Sequence, residues 1–149
     1  MMAKAEPLRA VLDANVIASA LMRPQGPPGQ ILVRIVRDRV MPVFSNPILD
    51  ELRRVVAYAR VRRAIKLSDE EIELAIVSLV VVGDVVEIAG TETYPQCPDP
   101  DDYMYIETAL QGRAAFLVTG DRDLLGLKTV EDVEIMTPRE FLTRISARL

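Results

Sequence analysis

Short apolar runs alternate along this chain with longer segments of helical periodicity, and that alternation limits the folds open to it. The runs occupy residues 9–13, 41–45, 85–89, 115–119 and 133–137. The first, third and fourth are rich in Val, Ile, Leu and Phe, as strands buried on both faces are. Between them the spacing predicts helices over residues 16–22, 30–39, 47–64, 69–82 and 101–112, with a last one over 138–148. Strand and helix in turn predict an α/β fold, a parallel sheet covered on both faces. Two helix starts are well marked. Ser68 and Glu71 form a capping box, with Leu67 and Ile72 placed for a hydrophobic staple. Asn46 reads as an N-cap followed by Pro47 at the first helical position. The proline-rich stretches 24–29 and 95–100 read as surface loops.

The chain has 149 residues, half of them hydrophobic, which predicts one domain over 1–149 with a sizeable core. The first seven residues carry no apolar segment of the signal-peptide kind and are expected to be a flexible lead-in. The most apolar stretch, 72–82, is too short to span a membrane and contains Glu73 and Ser78. A single cysteine, Cys97, excludes an intrachain disulfide and any multi-cysteine metal site, and a cytoplasmic location is expected. There is no histidine, so Ser-His-Asp and Cys-His catalysis and zinc-histidine sites are excluded. The net charge of −4 argues against nucleic-acid binding by bulk attraction. That sum counts carboxylates able to hold a cation as bare negatives. The basic residues are unevenly placed. Arg53, Arg54, Arg60, Arg62, Arg63 and Lys66 fall in one stretch, either a solvated charged helix or a contact for a phosphate backbone.

Four acids occupy awkward positions. Asp13 ends the first apolar run, where it can cap the next helix or face a ligand at the carboxyl end of a strand. Glu51 borders the apolar stripe Ile48, Leu52, Val55, Val56 and Ala59, whereas Asp50 points away from it. Asp102 falls on the apolar face of Tyr103, Ile106, Ala109 and Leu110, where a charge is costly unless paired or metal-bound. A first-turn Asp favoured by the helix dipole is the alternative there. Asp121 and Asp123 follow the fourth run, through Gly120, and either can be an N-cap. Thr119 beside them can donate to a carboxylate or a water. If the first and fourth strands are neighbours, Asp13 stands beside Thr119 and Asp121 at a topological switch point. Helices starting near Asn46 and Asp101 would bring Glu51 and Asp102 to the same rim. Converging carboxylates repel, so the site wants a hard divalent cation such as Mg²⁺ or Mn²⁺. Carboxylate-held metal is a common apparatus for cutting phosphodiesters.

Four segments resemble the PIN-domain nucleases, in that family's order: residues 11–19 (VLDANVIAS), 45–52 (SNPILDEL), 99–109 (DPDDYMYIETA) and 117–125 (LVTGDRDLL). The chain is most similar to the toxin components of toxin–antitoxin pairs, the VapC-like ribonucleases. The resemblance implies a three-layer α/β/α fold with about five parallel strands in the order 3-2-1-4-5. It implies Asp13, Glu51, Asp102 and Asp121 as catalytic, metal-binding acids, with Asn15, Thr119 and Asp123 supporting them. The implied activity is Mg²⁺- or Mn²⁺-dependent hydrolysis of single-stranded RNA, and the implied partners are an antitoxin protein and a second copy of the chain. One departure is Tyr103, where the subgroup often has lysine. Two rivals stand beside this reading. One is a catalytically weak binding module of the same fold. The other is a different Mg²⁺-dependent α/β phosphohydrolase; a haloacid-dehalogenase type would need Asp where Asn15 stands.

Overall fold

The structure, a computed structural model, describes residues 6–146. The expected flexible lead-in therefore lies, for residues 1–5, outside the described residues, as do the last two residues of the helix expected over 138–148. The chain runs β1 (Leu8–Leu12), α1 (Ala14–Met22), α2 (Pro27–Val36), β2 (Val40–Phe44), α3 (Asn46–Ala57), α4 (Ala59–Ala64) and α5 (Asp69–Val82). It continues through β3 (Asp84–Val85), a 3-10 turn at Pro100–Asp102, α6 (Tyr103–Gln111), β4 (Phe116–Val118) and α7 (Arg122–Leu125). It closes with β5 (Thr129–Val130), β6 (Val133–Met136) and α8 (Pro138–Ser146).

The sheet has six strands in the order β3-β2-β1-β4-β6-β5. All pairs are parallel except β5 with β6. The order expected from the resemblance, 3-2-1-4-5, holds once β6 is counted as the fifth strand, and the added edge strand is β5. Two residues long, β5 is too short to carry a periodic signal. It turns into β6 through Glu131, which adopts a positive φ of 50°. The centre of the sheet is a continuous apolar block. Ala10, Val11 and Leu12 of β1 sit beside Phe116, Leu117 and Val118 of β4, all buried. Helices flank this block. α6 packs on β1, β2 and β4, α5 on β2 and β3, and α2 on β2, α1 and α8.

Four sequence expectations are corrected. The helix expected over 47–64 breaks at Tyr58, which turns out of helical geometry (φ −59°, ψ 130°). α4 beyond it buries none of its residues, and Ala59, placed on the buried stripe by periodicity, is exposed. The third strand is two residues rather than 85–89. After the Val86 amide donates to the Phe44 carbonyl (2.8 Å), the chain leaves the sheet. The Ala89 and Gly90 amides instead donate to Glu107 Oε1 at 3.0 and 3.2 Å. The stretch 24–29 is not all loop, because Pro27 opens α2, where a missing N–H costs nothing. Asn46 is already helical, and Ser45 is the cap residue. The Ser45 hydroxyl makes no capping bond and pairs with the Thr108 hydroxyl of α6 (2.7 Å), tying α3's start to α6 in the core. The capping box at Ser68 and Glu71 is present in both directions.

Candidate metal centre

β1, β2 and β3 lie to one side of the β1–β4 boundary and β4 turns the chain to the other, so this boundary is the switch point where side chains beyond the strand ends face a crevice. Asp13 follows β1 directly. Its amide continues the ladder to the Val118 carbonyl (2.9 Å), which fixes its position against β4. The residue is only 4% exposed. Oδ1 accepts from the Asn15 amide (2.9 Å) and caps α1, and Oδ2 accepts from the Thr119 hydroxyl (2.8 Å). The Tyr105 hydroxyl, which accepts from the Ala14 amide (3.2 Å), also bonds the Asp13 carboxylate. Burial raises the Asp13 pKa. The bonds from Asn15, Thr119 and Tyr105 oppose that rise, and the Asp121 charge adds to it.

Thr119 and Asp121 follow β4. The Thr119 hydroxyl, having donated to Asp13, accepts from the Asp121 amide (3.0 Å). Asp121 Oδ1 in turn accepts from the amides of Asp123 (2.7 Å) and Leu124 (3.4 Å), which starts α7. Asp121 is thus at once an N-cap and a member of the rim, and the two readings weighed from sequence do not compete.

Asp102 ends the 3-10 turn that leads into α6. It is 8% exposed, and its Oδ2 is buried with no hydrogen-bond partner. Burial is the first cause that lifts its pKa to about 7; the charges of Asp121, Asp99, Asp13 and Asp123 follow. The carboxylate oxygens of Asp99, Asp102 and Asp123 lie within 4.8 Å of one another. In sequence Asp99 reads as part of a proline-rich loop and as the first residue of the PIN-like segment 99–109, but not as a site acid. Its signal was the acid-rich run Asp99-Pro100-Asp101-Asp102, which topology alone turns toward Asp123. The same loop carries Cys97, whose buried Sγ lies over the Asp99 carbonyl oxygen (3.6 Å). Tyr103 is half-buried and stacks edge-on against Tyr94, ring centres 5.6 Å apart. Glu107 is buried too, as the acceptor that holds the amides of residues 89 and 90.

Glu51 stands differently. It lies on α3, half-buried, while Asp50 is exposed. Its Oε2 accepts from Arg54 at 2.6 Å, and it is not one of the four carboxylates acting most strongly on Asp102. Its charge does reach Tyr105, the hydroxyl that touches Asp13. The basic stretch is partly committed as well. Arg53 pairs with Glu73 (2.8 Å), Arg54 with Glu51 and Arg62 with Asp69 (2.8 Å). Arg60, Arg63 and Lys66 are exposed, with no ion pair among the described residues.

The donor set fits a hard divalent cation: oxygen only, several carboxylates, and one of them buried without a partner. A family model for the PIN domain matches residues 9–123, from β1 through the acids after β4. The chain belongs to the PIN domain family. PIN domains are in general metal-dependent nucleases, and thus hydrolases. A curated relative, the uncharacterized protein MJ1680 of Methanocaldococcus jannaschii, is 29% identical over 143 residues, 91% of this chain and 90% of that one. Two solved structures share the fold. PAE2754 from Pyrobaculum aerophilum aligns with a TM-score of 0.57 at 15% identity, over 94% of this chain and 90% of its own. The PIN domain endonuclease Utp24 aligns with a TM-score of 0.55 at 17% identity, over 88% and 85%. In this PIN domain no helix among the described residues is long and apolar enough to cross a membrane.

Proposed function

We propose that this PIN domain is a Mg²⁺- or Mn²⁺-dependent endoribonuclease acting on single-stranded RNA, the toxin of a toxin–antitoxin pair that works in the cytoplasm. The observation that carries the reading is the Asp102 carboxylate, buried without a hydrogen-bond partner amid Asp13, Asp99, Asp121 and Asp123. An ionised group so placed needs a cation. Asp13, Glu51, Asp102 and Asp121 are the acids proposed to hold it. A divalent ion supplies Lewis acidity toward a phosphodiester oxygen and makes a water more acidic, so no imidazole base is required.

The chain's own residues do the positioning. Asn15 and Thr119 each take one oxygen of Asp13, which fixes the plane of that carboxylate. Thr119 also receives the Asp121 amide, so the two strand-end acids share one anchor. Arg60, Arg63 and Lys66 supply cations for backbone phosphates. Arg53, Arg54 and Arg62 join them on exchanging exposed ion pairs that are individually weak.

Two surfaces support the proposed partners. An apolar cavity of about 690 Å³ lies along α1 and α2, lined by Leu21, Met22, Leu32 and Val33, with Arg37 and Lys66 also facing it. It suits an apolar segment of an antitoxin with acidic flanks. The outer face of α5 exposes Leu74, Val77 and Val81, which supports pairing with a second copy. Light scattering on wild type and on Val77→Glu tests that pairing.

Purified protein should cut unstructured RNA in Mg²⁺ or Mn²⁺, stop with chelator and resume with excess metal. Duplex RNA and single-stranded DNA serve as comparison substrates. Cleavage that survives chelation overturns the reading. The Glu51–Arg54 ion pair favours one alternative, a catalytically weak PIN module acting through its partners, because it engages one of the four acids. Metal binding without cleavage of any RNA would select that alternative.

A further inference from the structure

The acids at the switch point differ in how many of their oxygens are already used. Both oxygens of Asp13 accept hydrogen bonds, and Oδ1 of Asp121 accepts two amides. Across the rim the bookkeeping reverses. Asp102 Oδ2 is buried without a partner, and the Asp102 residue is more than nine-tenths buried. The Asp123 carboxylate pairs with no basic side chain among the described residues. Asp99 spends Oδ1 on the Asp101 amide (2.9 Å), which leaves Oδ2. A carboxylate offers about four lone-pair sites, so these three hold most of the unfilled acceptor capacity of the rim.

We propose that Asp99, Asp102 and Asp123 form a divalent-cation seat of their own at the half-exposed side of the centre, with Asp102 shared between this seat and Asp13 and Asp121. Asp99 is thereby a metal ligand outside the four-acid set, supplied by the loop that leads into α6. The distances fit. Oxygens on opposite sides of a cation with bonds of about 2.1 Å stand about 4.2 Å apart. The three carboxylates already lie within 4.8 Å, so they close on an ion with a shift of about half an ångström. The backbone is prepared on both flanks. Asp99 is the cap of the 3-10 turn that places Asp102, and the Asp123 amide is held by Asp121. The ion would thus join the loop before α6 to the start of α7.

This inference rests on the metal-dependent reading, and its test separates the two. Chelator-stripped protein is titrated with Mn²⁺, and free Mn²⁺ is followed by electron paramagnetic resonance. Asp99→Asn keeps a side chain able to cap the turn, so the fold should persist, which circular dichroism checks. The expected result is that Asp99→Asn and Asp123→Asn each weaken one Mn²⁺ site by roughly a hundredfold, the upper end of what loss of even an outer partner does. Asp13→Asn should leave that site and weaken the other. Asp101→Asn removes an equal charge from an exposed neighbour and should change neither. If Asp99→Asn binds Mn²⁺ as wild type does, or only as weakened as Asp101→Asn, the seat is refuted while the metal-dependent reading stands. If wild type binds no Mn²⁺ at all, both fall.

Discussion

Asp102 carries its charge at the expense of the fold when no cation is present. Its pKa in the folded chain is lifted to about 7, and that of Asp13 is raised as well, whereas an unfolded Asp ionises at about 3.9. Between those values the folded state binds more protons than the unfolded one, so stability falls as pH rises through the window. Chelator-treated protein should therefore melt at progressively lower temperature from about pH 5 to about pH 8. Asp102→Asn should flatten that slope and raise the metal-free melting temperature at the upper end. An unchanged slope in the variant would remove Asp102 as its source. Glu51 and Asp50 are adjacent acids with different surroundings. Glu51 is half-buried on the side from which its charge reaches Tyr105, and Asp50 is exposed. Glu51→Gln should lose most RNA cleavage in saturating Mn²⁺ with the fold intact, and Asp50→Asn should stay near wild type. A dead Asp50→Asn beside an active Glu51→Gln would show that the wrong acid of the pair was chosen.

At the level of elements, local chemistry separates what stabilises the fold from what serves the site. Ser68 caps α5 through the Glu71 amide (3.1 Å), far along the chain from the acids. Ser68→Ala should lower stability in urea unfolding by about 1 kcal/mol. Mn²⁺ affinity should not change; if it did, α5 would be coupled to the centre. The elements legible in sequence were those whose own residues carry the signal: the apolar strands β1 and β4, the boxed start of α5, and the α6 register that placed Asp102 inward. Those missed depend on residues distant in the chain. The shortening of β3 follows from Glu107 taking two amides that the sheet edge would otherwise have used. At Tyr58 the backbone leaves helical geometry, and beyond it only Val61 of α4 packs against the core, so the apolar stripe of α3 does not continue. Asp99 was hidden because only the turn into α6 brings it to Asp123, and no spacing rule connects positions that far apart.

For the molecule as a whole, the sheet order turns scattered acids into one cluster. A cation binding there links β1, α6 and α7, parts distant in sequence but adjacent in space. Such binding stabilises by mass action, about 2.7 kcal/mol at a hundredfold excess over Kd, so Mn²⁺ should raise the melting temperature of the entire chain. That coupling has its own reporter. Cys97 is the only thiol, and its Sγ is sealed against the carbonyl of Asp99. A thiol-specific dye therefore has one address, and it can react only while the segment before α6 is lifted away. Its reaction rate counts those excursions without any engineered label. Mn²⁺ just sufficient to fill the wild-type seat should slow labelling in wild type and leave it nearly unaltered in Asp99→Asn, so one stopped-flow trace times how often the gate beside the acids swings open.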